Sequence, residues 1–417
     1  MEISTIVILS DSLRNNGGAA KVAIKSAIGL SLAGYRVIFV GGESSPADPE
    51  LAASRVEIIS LNQLSISDPS NRGKTFLTGL WNFGAAQSLR KILAQLDPSS
   101  TVVHLHSWSK VLSTAIIPAI RQGSFPLVLT LHDYFTACPN GSFYDYQAHL
   151  TCHRKPLSLA CLSCNCDARH PLHKMWRTAR QVIQHGPGHF PASVDAFISV
   201  SDFSQRILQP FLPQETPIHR IDNPIECTKL STAAEPDRAC GVLYIGRLSP
   251  EKGPELLAAA GREAGVQVTF IGDGELSTNL RISFPEHKFT GWLSFSEITP
   301  LIDQTRALVM PSLWYETLGL TVLECAARGI PAIVADTCAA TDIVINEETG
   351  LFFTGGDQRS LAKMLERISD NDTVKRLGAK AYQRFWANPP TLEKHIIDLC
   401  KLYNSLSSSY ARAISCM

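Results

Sequence analysis

At 417 residues the chain is too long for one comfortable hydrophobic core and suits two domains of ordinary size. Lys+Arg and Asp+Glu balance at 38 each, so no global field draws it to nucleic acid or an anionic membrane. Its 45% hydrophobic and 18% charged residues fit a soluble globular protein, and no apolar run approaches the roughly 20 residues of a membrane span.

The opening MEISTIVILSDS lacks a basic n-region and a small-residue cleavage site, so it reads as a strand and a polar turn, without a signal peptide. A cytoplasmic location is expected, with the 11 cysteines reduced; their odd number and wide spread argue against a disulfide framework. Strands are expected at Ile3–Leu9, Val37–Val40, Val56–Ser60, Thr101–Leu105, Leu127–Leu131, Ala196–Val200 and Ile218–Ile221. In the second half they fall at Val242–Ile245, Val266–Ile271, Ala307–Met310, Ala332–Ala335 and Leu351–Phe353. Most are rich in Val, Ile and Leu without clean alternation, as strands buried on both faces of a parallel sheet should be, and the stretches between them can hold crossover helices.

The first βα turn, DSLRNNGGAAK, places Gly17 and Gly18 at a helix start, where backbone can approach a phosphate or sugar closely. The pair suits a tight turn equally well, and no G-x-G-x-x-G dinucleotide pattern occurs here. Ala20, Ala23, Ala27 and Leu30 then recur at helical spacing, with Gly34 as the stop. His132-Asp133 follows the strand LVLTL, so the imidazole faces a crevice, where it could hydrogen-bond a substrate hydroxyl, act as a base or be structural.

Cys138, Cys152, Cys161, Cys164 and Cys166 crowd the next stretch. Cys161-x2-Cys164 has zinc-ligand spacing, and Cys138 and Cys152 could complete a structural tetrahedral site; reduced thiols in a variable loop are the alternative. In HPLHKMWRTAR, Lys174, Arg177 and Arg180 accompany Met175 and Trp176 at helical spacing. That pattern fits either weak contact with an anionic membrane surface or a solvated helix with a buried Trp.

A domain boundary is expected between Asn223 and Cys240, giving an N-terminal domain over 1–222 and a C-terminal one over 223–390. A last helix, about 391–417, has Ile396, Ile397, Leu399, Leu402 and Leu406 positioned to pack back on the first domain. GRLSPEKG follows the second domain's first strand and sets Arg247 and Lys252 at a strand's C-terminal end, either as a solvated pair or to neutralise a diphosphate. In PSLWYETLGLTVLECAARGIP, Glu316 and Glu324 flank the amides of Leu318, Gly319 and Leu320 at a helix start, which suits a phosphate with hydroxyls on either side. A loop acid and a dipole-favoured acid are the plainer reading of the two glutamates.

Together GGAAKVA, TLHDYF, FISVSDFSQRIL with DNPI, YIGRLSPEKGPELL, FIGDGEL, FTGW and PSLWYETLGLTVLECAARGIPAIVAD resemble family 4 of the retaining glycosyltransferases, in that family's order across nearly the whole chain. The resemblance implies an α/β GT-B fold of two facing Rossmann-like, doubly wound domains with an interdomain cleft. It implies donor-sugar contacts from Glu316 and His132, ribose contact from Glu324, and diphosphate contacts from the amides of Leu318, Gly319 and Leu320. Arg247 and Lys252 would stabilise the leaving diphosphate, and Gly18, beside Gly17, would lie against it from the other domain. Asn223 stands in the family's linker motif, although Pro224 replaces the usual glycine there.

The activity so implied is transfer of a sugar, with retention, from a UDP- or GDP-sugar to a glycan or polyprenyl-linked acceptor in cell-surface polysaccharide or glycoconjugate synthesis. No Asp-x-Asp metal motif accompanies the donor stretch, so no catalytic metal or other cofactor is expected, and the nucleotide sugar is a co-substrate. The enzyme could sit peripherally on the inner face of the plasma membrane. A sugar-nucleotide epimerase of the same architecture and a non-catalytic donor-binding subunit are the competing readings. Gly272–Ser277 and Gly291–Phe295 are the stretches expected near the base, without choosing uridine or guanosine.

Overall fold

The computed structural model describes residues 2–66, 72–229 and 233–415. In chain order the first half gives β1 (Thr5–Ser10), β2 (Arg36–Glu43), β3 (Glu57–Gln63), β4 (Thr101–Leu105) and β5 (Leu127–Leu131). After β6 (Tyr144–Asp145) and β7 (Leu150–Thr151), which form a small antiparallel hairpin, come β8 (Ala196–Ser199) and β9 (Ile218–Arg220). The second half gives β10 (Val242–Ile245), β11 (Val268–Ile271), β12 (Lys288–Gly291), β13 (Leu308–Met310), β14 (Ala332–Ala335) and β15 (Gly350–Phe353).

Two parallel sheets result, ordered β3-β2-β1-β4-β5-β8-β9 and β12-β11-β10-β13-β14-β15. All six residues of β1 are buried, because helices cover both faces. Strand order reverses between β1 and β4 in one sheet and between β10 and β13 in the other. In open α/β sheets ligands bind at such switch points, outside the strands' carboxyl ends. The loops that follow those four strands carry Gly17-Gly18, His106, Arg247–Lys252 and Pro311–Gly319.

The Gly18–Leu32 helix buries Ala20, Ala23, Ala27 and Leu30 and stops at Gly34, whose φ of +99° is open to glycine at little cost. The last helix, Leu392–Ser415, returns to this element. Its Ile396, Leu399, Leu402, Tyr403 and Leu406 share one core cluster with Ile24, Ala27 and Leu30. The crossing is close: a Cβ on Gly29 would lie 2.6 Å from Ile396 Cγ1. His395 anchors the return by bonding Ser26 Oγ (2.8 Å) and the Asp222 carbonyl (2.8 Å). Ile225 N–H donates to the Pro390 carbonyl at 2.9 Å, so the two connections between the sheets run side by side. Residues 230–232 of the expected linker and 416–417 of the expected tail lie outside the described residues.

Two elements were not anticipated. β12 is KFTG, a four-residue strand with no buried side chain and no apolar run. The β6–β7 hairpin lies in the cysteine-bearing insertion. No described helix is long and apolar enough to cross a membrane.

Candidate active site

The loop after β10 is shaped by close backbone contact. Gly253, at φ +67°, sits where a Cβ would meet the Pro311 carbonyl at 2.2 Å, and Gly272 is pressed as tightly on the Gly246 carbonyl (2.0 Å). This packing draws the loop against the one after β13. Lys252 Nζ donates to Glu316 Oε1 at 2.5 Å, Ser312 Oγ donates to the same oxygen at 2.8 Å, and the ammonium lies 5.0 Å from the Trp314 ring centre. Arg247, mostly exposed, donates to Glu251 Oε1 at 2.7 Å; buried Glu251 also accepts from Ser249 Oγ at 2.8 Å.

No described residue accepts from the amides of Leu318, Gly319 or Leu320, which precede and open the Leu320–Ala326 helix. Glu324 lies on that helix, where burial pushes its carboxyl up and Lys21, 3.9 Å away on the Gly18–Leu32 helix of the other domain, pulls it down. Gly18 faces the same helix, a Cβ there standing 3.4 Å from Leu320 Cδ1, while Gly17 has open space around it.

His132 follows β5 on the opposing wall. Its carbonyl accepts from Thr317 Oγ1 at 3.1 Å, and Tyr134 Oη donates to the Glu316 carbonyl at 3.4 Å, so both residues reach the β13 loop directly. His132 Nε2 lies 3.0 Å from His106 Nδ1. Burial holds the His132 imidazole down at about 3, so it is neutral at ordinary pH, and burial raises the neighbouring Asp133 carboxyl to about 6.

The structure thus gathers Arg247, Lys252, Glu316, the Leu318–Leu320 amides, Glu324, His132 and Gly17-Gly18 around one interdomain cleft. Asn223 is buried and, with Leu318, Val322 and Phe385, lines a cavity of about 620 Å³ against the Leu320–Ala326 helix. Lys21, Glu251, Thr317 and His106 were missed. Lys21 lies one helical turn beyond Gly18, Glu251 within GRLSPEKG and Thr317 next to Glu316, whereas His106 had no signal.

The cysteines are not assembled as the spacing suggested. Cys164 Sγ donates to Asp145 Oδ2 (3.2 Å), which also takes Arg154 (3.1 Å). Cys161 and Cys166 both face the buried Lys174 ammonium, at 3.5 and 3.2 Å. Among the described residues no group of three or more His, Cys, Asp or Glu side chains is close enough to hold a metal ion in this arrangement. The Pro171–His185 helix also turns its basic residues inward: Lys174 and Arg180 are buried, Arg180 bonding the Ser109 carbonyl and lying over Phe135, while Leu172 and Met175 are exposed.

Comparison with known proteins places these features in context. Residues 16–229 match the model of the family described as Glycosyltransferase Family 4, and residues 233–384 that of Glycosyl transferases group 1. A glycogen synthase of Mycobacterium tuberculosis is 26% identical over 321 residues, 71% of this chain and 75% of that protein. The sulfoquinovosyl transferase SQD2 of Arabidopsis thaliana is 32% identical over 154 residues, 35% of this chain and 30% of that one. Among solved structures, sucrose-phosphate synthase from Thermosynechococcus elongatus superposes with a TM-score of 0.70 at 20% identity, covering 97% of this chain and 100% of that one. Anabaena Alr3699/HepE in complex with UDP-glucose gives 0.66 at 16%, covering 96% and 99%. At these identities the structural likeness establishes the GT-B fold.

Proposed function

The chain belongs to glycosyltransferase family 4, and on that footing we propose that it moves a sugar, with retention, from a nucleotide-diphosphate donor to a glycan or lipid-linked acceptor. The observation that carries the reading is the Lys252–Glu316 pair, 2.5 Å apart beside amides that have no acceptor among the described residues, at a sheet's carboxyl end. A diphosphate entering there meets one ammonium, one guanidinium and free N–H groups, which favour developing negative charge in a site that needs no reorganisation.

Arg247 and Lys252 stabilise the departing diphosphate, Glu316 and Glu324 accept hydrogen bonds from sugar and ribose hydroxyls, and His132 contacts the donor sugar. Transfer with retention then follows from a front-face displacement: the acceptor hydroxyl attacks the sugar carbon as the diphosphate oxygen leaves and takes its proton. No residue serves as a covalent nucleophile, so the chain's contribution is positioning and charge stabilisation. UDP-glucose in one structural neighbour and the name of a GDP-mannose-dependent mannosyltransferase, 34% identical over 116 residues, support a nucleotide-sugar donor without choosing the base.

Release of nucleoside diphosphate from UDP- and GDP-sugars is the test. Glu316→Ala and Lys252→Ala are each expected to lower kcat by roughly 10²–10³-fold; unchanged turnover in both would reject the assignment.

A further inference from the structure

β4 and β5 are neighbours, with His104 opposite Val128 and Leu105 opposite Leu129, so residues just past their ends meet at the cleft floor. His106 is buried, its amide donates to the Leu9 carbonyl, and its ring stacks near His132 with centroids 5.3 Å apart. Beneath it His104 uses both nitrogens, on Thr130 Oγ1 and Tyr403 Oη at 2.7 Å each. His106 is different: Nδ1 is 3.0 Å from His132 Nε2, and Nε2 is sealed from solvent with no hydrogen-bond partner among the described residues.

Burial depresses both imidazoles, so each is neutral and carries one N–H. One ring must therefore donate to the other. If His132 donated, the His106 hydrogen would sit on Nε2 as a sealed N–H without an acceptor, among the rarest of buried groups. If His106 donates from Nδ1, only a bare lone pair is left there. The second arrangement forces the His132 hydrogen onto Nδ1, which no described residue partners and which is not sealed.

We infer that His106 is a positioning residue, whose Nδ1–H donates to His132 Nε2 and thereby makes His132 present Nδ1–H to the cleft as a neutral hydrogen-bond donor rather than a base. The inference rests on the proposed role of His132 as a donor-sugar contact. It adds the direction of that contact: an oxygen of the substrate accepts, and no proton is abstracted.

The test is the 15N spectrum of the histidine-labelled, ligand-free chain, with His132 assigned by its loss in His132→Gln. A protonated Nδ1 and a bare Nε2 on His132 are expected; the reverse pattern overturns the inference and leaves sugar transfer standing. Activity supplies the second readout. His106→Leu should lower kcat roughly five- to tenfold, the scale of one hydrogen bond. His106→Asn, whose amide replaces the Nδ1 donor, should restore the wild-type His132 pattern and most of kcat. His106→Asp, an acceptor, should draw the hydrogen to Nε2 and not restore turnover; rescue by Asp and not by Asn also overturns the inference. Absence of turnover with any nucleotide sugar, alongside the expected spectrum, would reject the functional reading and not this tautomer.

Discussion

Lys252 and Ser312 converge on the same oxygen of Glu316, leaving Oε2 without a donor among the described residues. One carboxylate thus holds its cation with one oxygen, and its other oxygen has no partner among the described residues. Thr317, next in sequence, spends its hydroxyl on the His132 carbonyl, a direct tie between the cleft walls. Thr317→Val keeps the shape and removes the tie. Its expected effect is a rise in donor KM of up to about fivefold with kcat little changed, read from initial rates. These relations explain what the sequence could and could not reveal. Arg247, Lys252, Glu316 and Glu324 stood out because each lies in a short contiguous stretch at a strand end or helix start. Thr317 acts on a residue that only the fold brings near, Glu251 pairs inside its own stretch with Arg247 four residues before it, and His106 is hidden at the end of an apolar strand.

At the scale of elements, buried parallel strands were legible because burial on both faces leaves uninterrupted Val/Ile/Leu runs, as in β1 and β14. β12 was not, since Lys288 and Thr290 are exposed at an edge of the sheet and break any run. The Pro171–His185 helix shows a different limit: its spacing revealed a helix but not which stripe faces inward. Lys174 and Arg180 are buried there because sulfur, carbonyl and aromatic partners await them. Gly29 marks the closest helix crossing. Gly29→Val would push a branched side chain into Ile396 and Leu392, and a loss of about 1–3 kcal/mol is expected in urea melts. Activity per folded molecule should survive, since the crossing lies away from the cleft loops.

For the whole molecule, pH stability follows from its buried imidazoles. Burial lowers His104, His106, His132 and His395 below the ordinary 6.5, so the unfolded chain binds protons that the folded one refuses. Stability is therefore present above about pH 6.5 and is lost as pH falls below it. Asp133, raised to about 6, works oppositely, but only below that pH, where the native state holds a proton the unfolded chain has shed. Between about pH 7.5 and 6 the histidines dominate, and Tm should fall with acidification. His395→Asn should shrink that fall; an equal slope in both proteins would contradict the assignment.

The returning helix ties the order of synthesis to the order of assembly. Tyr403 supplies a partner to His104 across 299 positions of chain, and Leu399 and Leu402 close a core that begins at Ile3. The N-terminal half thus emerges from the ribosome with one flank uncovered and cannot finish until the last segment arrives. Contacts of such separation are slow to form, because the intervening loop must close first. The core of the first sheet is thus closed by a segment that follows the whole second sheet in sequence.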